Sequence, residues 1–291
     1  MTGLNAMERM FSAPLPEKTD SYTPIAHETI DKITRTALQE QGFVLSKTFY
    51  RSSTDGRLGQ AEYHINYGDD PEMGLMIAWQ NSYNKLISFK YAIGAHVMVC
   101  SNGAVSGDIG AYKRKHTGTA DEEAASQIKY YLQNAKQIFL NLVRDREHLK
   151  KIDLSPERMA EIIGRMFIHK EIITSTQINI MKREMETPSF DYGVPVHNAW
   201  SLYNFATHAF KEDSPRNWIS RHIDLHSFFG EEFGLERSEE SPEPVQPTLF
   251  PEEATPEETS QPLEEVMEEV PAFSSNEERD SDELIDLLED F

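Results

Sequence analysis

The sequence predicts an α+β fold: an N-terminal helix, an antiparallel sheet of about five strands, a helical C-terminal half, and then a disordered acidic tail. Three observations predict it. A face of apolar residues at helical spacing opens the domain, segments of strand character separated by turn residues occupy roughly residues 43–100, and the chain from about 119 to 235 repeats at the helical period. A helix, then strands, then helices is the order of an α+β domain, not of a doubly wound sheet, in which strands and helices alternate.

Residues 1–22 show no clear periodicity and read as a loose arm. Thr23-Pro24 has the form of an N-cap and first helical residue, with Ile25, Ile30, Ile33, Ala37 and Leu38 on one face and Gln41-Gly42 as the stop. Strands are expected at 43–51, 60–67, 75–80, 86–93 and 96–100, and Thr54-Asp55-Gly56 and Gly68-Asp69-Asp70-Pro71 supply turn chemistry between the first three. In the fourth, Ile87, Phe89, Tyr91 and Ile93 alternate with more polar residues, so one face is markedly more apolar. Residues 23–118 thus form a helix plus meander with a central basic loop, and 119–235 the helical part of the same globular domain. There, Ala124 to Leu142 trace one long amphipathic helix running to about Lys151. Ser155-Pro156-Glu157 opens a second helix, and Thr174-x-x-Gln177 is a capping box for a third that Thr187-Pro188 ends. Two more follow near 198–210 and 215–229.

Charge divides the chain sharply. The whole sequence has 49 acids and 28 bases, but residues 236–291 carry 20 of those acids against two bases and seven of the 15 prolines, leaving residues 1–235 a net charge of about −3. Such a tail has too little apolar surface to offset its ordering entropy. The single cysteine, Cys100, lies in an apolar run and reads as a buried thiol; one cysteine excludes an intramolecular disulfide and a cysteine-rich metal site. With no run of 18 apolar residues and no basic-then-apolar leader, neither a membrane span nor a secretory signal is expected.

The stretch 81–118 carries the chemistry. Lys85, Lys90, Lys113, Arg114 and Lys115 face one acid, Asp108, and Tyr83, Phe89, Tyr91 and Tyr112 are interleaved with them. Cations for phosphates and flat rings for bases are what single-stranded nucleic acid requires. Contacts are expected from Tyr83, Lys85, Lys90, Tyr91, Tyr112, Lys113, Arg114, Lys115 and His116, with Phe89 assigned to the core. Gly103, Gly107 and Gly110 permit a tight loop, although no Walker or dinucleotide-binding motif is present. His222-x-x-x-His226 places two histidines on one helical face, but the glutamate of a His-Glu-x-x-His protease is missing. No metal, cofactor or catalytic residue is assigned.

Asn81-Ser82-Tyr83, Lys85, Gly94-Ala95, Val97, Val99-Cys100, Asn102-Gly103, Ser106-Gly107 and Lys113-Arg114-Lys115-His116-Thr117 together resemble a phage/plasmid-like protein family of unassigned biochemical function, over roughly residues 25–230. The resemblance implies a mobile-element setting rather than a reaction; the missing span and signal lead to the separate expectation of a protein that stays in the cytoplasm of a bacterial host. In the tail, Gln246-Pro247-Thr248-Leu249-Phe250 resembles the Gln-x-x-Leu-Phe peptide by which bacterial replication proteins dock on the sliding clamp. Leu284, Ile285, Leu287, Leu288 and Phe291 fall at helical spacing behind Ser281 as N-cap, in a segment far shorter than the roughly 12 to 15 residues an isolated helix needs. An acidic tail closing in Asp-Phe is also similar to the tails of single-stranded-DNA-binding proteins, which recruit partners and compete with DNA for the protein's own groove.

The first expectation is therefore a phage or plasmid single-stranded-DNA-binding protein acting in replication or recombination, with strand annealing left open by an element order like that of ring-forming annealing proteins. Its tail would recruit replication or recombination proteins, and its oligomeric state is left open. The alternatives are a non-enzymatic adaptor tethered to the sliding clamp, and an enzyme of nucleic-acid metabolism whose site is not recognisable.

Overall fold

The computed structural model describes residues 4–68, 70–100, 102–105, 111–214 and 216–235. Two helices precede the sheet, α1 (Ala6–Ser12) and α2 (His27–Glu40). Residues 1–22 are thus not a loose arm throughout. Asn5 and Glu8 form a reciprocal capping box around the first turn of α1, and Met10 is fully buried. Gly56, at φ +68°, lies in the β1–β2 turn beneath α1, where a Cβ would meet the Arg9 carbonyl oxygen at 2.0 Å. Only glycine allows the helix to seat there. α2 starts at His27 rather than after Thr23-Pro24, because Thr23 is used elsewhere: its amide donates to the His116 carbonyl at 3.0 Å and its hydroxyl to the Gly118 carbonyl at 2.7 Å.

The sheet is antiparallel, with β1 (Leu45–Ser52), β2 (Leu58–Ile65), β3 (Met73–Ser82) and β4 (Phe89–Val97) as a meander. Two short strands, β5 (Gly103–Ala104) and β6 (Ala111–Arg114), both pair with β4, so its far side is covered in two pieces. The fifth strand expected at 96–100 is instead the end of β4 followed by a turn, and part of the basic loop is strand β6. The expected alternation in β4 holds: Phe89, Tyr91 and Ile93 are fully buried on one face.

Six α-helices, and a 3-10 turn at Phe210–Glu212, complete the described chain: α3 (Ala120–Gln133), α4 (Ala135–Leu149), α5 (Pro156–Ile168), α6 (Ser175–Glu186), α7 (Ala199–Ala209) and α8 (Trp218–Phe233). The single long helix expected from 124 to 151 is two, interrupted at Asn134, whose amide bonds the Tyr131 carbonyl at 3.1 Å. Ser155 and Thr174 cap α5 and α6 as their sequences predict. Arg146 on α4 holds both carboxylate oxygens of Asp70, at 2.7 and 2.8 Å, while Asp70 accepts from the amides of Glu72 and Met73. This fork fixes the β2–β3 turn against the helices. Among the described residues no helix is long and apolar enough to cross a membrane.

One face of the sheet packs on α1 to α4 and carries the main apolar core, including Tyr63, Ile77, Trp79, Tyr91 and Ile93. On the other, Met76, Ala78, Ala92 and Val105 form a smaller cluster with Trp218 and Ile219 at the start of α8. Apart from Phe49, which packs edge-on against His64, most of the remaining second-face side chains are polar, and this face positions the candidate site.

Candidate functional site

Residues directly opposite one another in an antiparallel sheet project to the same face. The register places Arg51 opposite Gln60, Gln60 opposite Gln80, Gln80 opposite Lys90, and Lys90 opposite Lys113. A polar row therefore crosses the second face from β1 to β6, each step about 4.8 Å. Its centre is closed: Gln60 and Gln80 are fully buried, and the Gln80 amide donates to the Gln60 carbonyl at 3.3 Å. Lys113, at the β6 end, is exposed, while Lys90 is half-buried and its ammonium donates to the Ser220 hydroxyl on α8. Burial and then the charge of Lys113 hold Lys90 below the usual lysine range; Asp224 opposes this and Arg216 reinforces it.

Beside the row, Glu62 is 5% exposed and accepts from the Gln60 amide at 2.7 Å, with the His64 imidazole 3.8 Å away. Burial pushes the Glu62 carboxyl up, but the bond from His64 and the nearby Arg51 guanidinium outweigh it and hold it below the carboxylate range. His64 stacks on His96 with centroids 4.1 Å apart. The His96 ring lies directly over Gly74, where a Cβ would meet its Nε2 at 2.2 Å and the Ile65 carbonyl at 2.7 Å. Gly74→Ala is expected to cost about 1 to 3 kcal/mol in urea unfolding, because neither the paired strand nor the stacked ring can give way. An unchanged unfolding midpoint would show that this stack is loose.

Several expected contacts need correction. Tyr91 is fully buried on the core face, so no base reaches its ring. Tyr83 is 7% exposed; its hydroxyl accepts from the His27 amide at 2.8 Å, and its ring stacks on His27 at 4.1 Å. His116 is 6% exposed, packed on Tyr22 and carrying the carbonyl that holds Thr23. Arg114 is committed to Glu123 at 2.6 Å. Lys85, at φ +61°, is exposed with its ammonium 4.5 Å over the Tyr22 ring; Lys115 is exposed, and Tyr112 half-buried.

Much of the 81–118 motif is consequently a latch for residues 22–27. The Asn81 amide donates to the Ile25 carbonyl at 2.7 Å, and the Tyr22 hydroxyl reaches the Tyr83 carbonyl at 3.3 Å. Cys100 is buried as expected, its thiol pushed up to about 11 by burial. His222 packs between Trp218 and Phe210, whereas His226 faces Asp145 at 3.3 Å, so the two have separate neighbours. Among the described residues no group of three His, Cys, Asp or Glu side chains is arranged to hold a metal.

The polar row escaped the sequence reading, although Gln60-x-Glu62-x-His64 was its visible signal. Gly107, Gly110 and the tail residues Gln246, Leu249, Phe250, Leu284, Ile285, Leu287, Leu288 and Phe291 lie outside the described residues. The sequence model of a family described as a domain of unknown function, DUF932, matches residues 15–228. No curated protein and no solved structure matches the chain.

Proposed function

The chain belongs to the DUF932 family, whose description names no activity, and we propose from the site that it binds single-stranded DNA, with the phosphate backbone crossing the β4–β6 edge. The observation that carries this reading is the cross-strand pair Lys90 and Lys113, to which Arg216 adds a third positive charge. Like charges placed directly opposite destabilise a sheet. An anion at that edge converts the repulsion into attraction. The N-terminus of α8 lies beside the pair and has no side-chain cap, so its first amides add to the positive field. In this reading the acidic tail recruits replication or recombination proteins, the sliding clamp among them through Gln246, Leu249 and Phe250, and the setting is a mobile element in a bacterial cytoplasm.

The test is binding of a fluorescent single-stranded oligonucleotide by the full chain, across a salt series and beside duplex competitor. Lys113→Glu with Lys115→Glu is expected to weaken binding at least tenfold at low salt. The slope of log affinity against log salt should become shallower by about 1.4, since the variant neutralises two fewer phosphates. A full chain that binds no oligonucleotide at low salt removes the proposal. The burial of Tyr83, Tyr91 and His116 favours the adaptor reading to the extent that it removes stacking surfaces, and such a result would leave the adaptor standing.

A further inference from the structure

The phosphate site at the β4–β6 edge is closed on its inner side. Across the sheet from Lys90, Gln80 is fully buried, and along the strand Ala92 lies with Met76, Ala78 and Val105 under Trp218 and Ile219 of α8. On the outer side Lys113 is exposed on β6. A DNA strand that reaches Lys90 over this edge meets the first turn of α8 as a wall. To pass further it would have to lift the Trp218 indole, which is 3% exposed and 3.1 Å from where a Cβ on Gly103 would stand. The path has an entrance and no exit.

Charge accumulates at that blind end. Lys113, opposite Lys90 in the register, and Arg216, just before α8, both stand close enough to Lys90 to repel its proton. The nearby carboxylate is Asp224, which also feels Arg221, itself paired with Asp213 at 2.9 Å. Three cations less one carboxylate leave an excess of about two, and the uncapped N-terminus of α8 adds roughly half a charge. A phosphodiester carries a single negative charge, whereas a phosphomonoester carries about 1.5 to 2 near neutral pH. Ser220, in the first turn of α8, accepts from the Lys90 ammonium and keeps its own proton to donate. Helical side chains lean toward the N-terminus, the direction in which the first amides point, so the hydroxyl and those amides can serve the same anion.

We propose that the blind end formed by Lys90, Lys113, Arg216 and Ser220 binds the terminal phosphomonoester of a DNA strand, so that the protein recognises a phosphorylated strand end as well as a backbone. This end recognition rests on the DNA-binding reading and adds the terminal group to it. Lys113 and Arg216 meet the outer oxygens, and the Ser220 hydroxyl donates to an inner one.

The test uses three internally labelled oligothymidines of equal length, ending in a 5′-phosphate, in a 3′-phosphate or in hydroxyls at both ends, with the full chain at one salt concentration. One phosphorylated strand is expected to bind about tenfold or more tighter than the hydroxyl strand, because hydrogen bonds to a charged group are the strong ones. Arg216→Gln and Ser220→Ala should each lower that ratio by roughly three- to tenfold. Arg216 is exposed and Ser220 half-buried, and matching unfolding midpoints show that both variants keep the fold. Equal affinity for the three strands, or a ratio unchanged in either variant, overturns end recognition while backbone binding stands. Inorganic phosphate is the second arm: at a concentration equal to that of the phosphorylated strand it should not displace it, and displacement would assign the site to free phosphate and overturn end recognition. Binding of none of the strands overturns end recognition and the DNA-binding reading together.

Discussion

Asp31→Ala is expected to destabilise the domain by about 3 to 5 kcal/mol, the range for removing one member of a buried, hydrogen-bonded charge pair. Asp31 is 8% exposed. One oxygen accepts from the hydroxyls of Tyr50 at 2.7 Å and Tyr63 at 2.5 Å, and the other accepts from Arg35 at 3.0 Å. Each tyrosine hydroxyl is used twice, since Tyr50 also accepts from Arg35 at 2.7 Å and Tyr63 from the Trp79 indole at 2.8 Å. Every member has its partner, and the network joins α2 to three adjacent strands. Truncation leaves a guanidinium and two buried hydroxyls without their acceptor, so the penalty exceeds that of one lost bond. The check is urea unfolding of Asp31→Ala, Tyr63→Phe and the double variant. A loss under about 1 kcal/mol for Asp31→Ala, or additive effects, would show that the network relaxes or that water replaces the carboxylate.

Elements whose signal is local were legible in the sequence. The alternation of Phe89, Tyr91 and Ile93 and the caps Ser155 and Thr174 need only neighbouring residues to be decided, and the structure contains them. Where a distant segment intervenes, the reading fails in a definite way. Thr23-Pro24 has N-cap chemistry, yet Thr23 is bound by His116 and Gly118, more than 90 residues on. At Asn134 the helix breaks without disturbing the apolar stripe, because Leu132, Ala135 and Ile138 stay buried across the interruption. The capping box Asn5-x-x-Glu8 was available as a signal, but α1 spans only seven residues, too few to show a period.

The site was less legible for the same reason. A period of two divides Gln60, Glu62 and His64 from Ala61, Tyr63 and Ile65, but it does not distinguish a face covered by water from one covered by a helix more than 150 residues later. Composition singled out a basic stretch with interleaved rings. It could not tell which rings the fold would consume: Tyr91 is spent on the core and Tyr83 on His27.

Acidification is expected to begin destabilising the protein near pH 6.5, above the pH at which most carboxylates titrate. Burial lowers His27 to about 4, with neighbouring His116 lowering it further and the carbonyls of Gly56 and Arg57 opposing. Burial, then the adjacent His64, lowers His96 to about 3, and burial lowers His222 to about 3. In each case the unfolded chain binds a proton near pH 6.5 that the folded chain refuses. Stability is therefore whole above that value and falls as pH drops toward the folded values. By pH 4.5 each ring has removed on the order of 2 to 3 kcal/mol, and the three together approach the roughly 5 to 15 kcal/mol by which domains are stable. Asp213 acts with the opposite sign. Burial raises its carboxyl to about 6 despite Arg221, so the folded state takes up a proton first and gains stability as pH falls through that value. Asp224, also raised by burial against the charges of Lys90 and Arg221, acts the same way, but the two carboxyls do not offset three histidines. Urea unfolding from pH 7 to 4.5 should thus show a steep, continuous loss, with acid unfolding between roughly pH 5 and 4 in the absence of denaturant. A loss under about 2 kcal/mol over that range would mean that these imidazoles reach water or a counter-charge in the native state, and that the polar face under α8 is open to solvent rather than roofed.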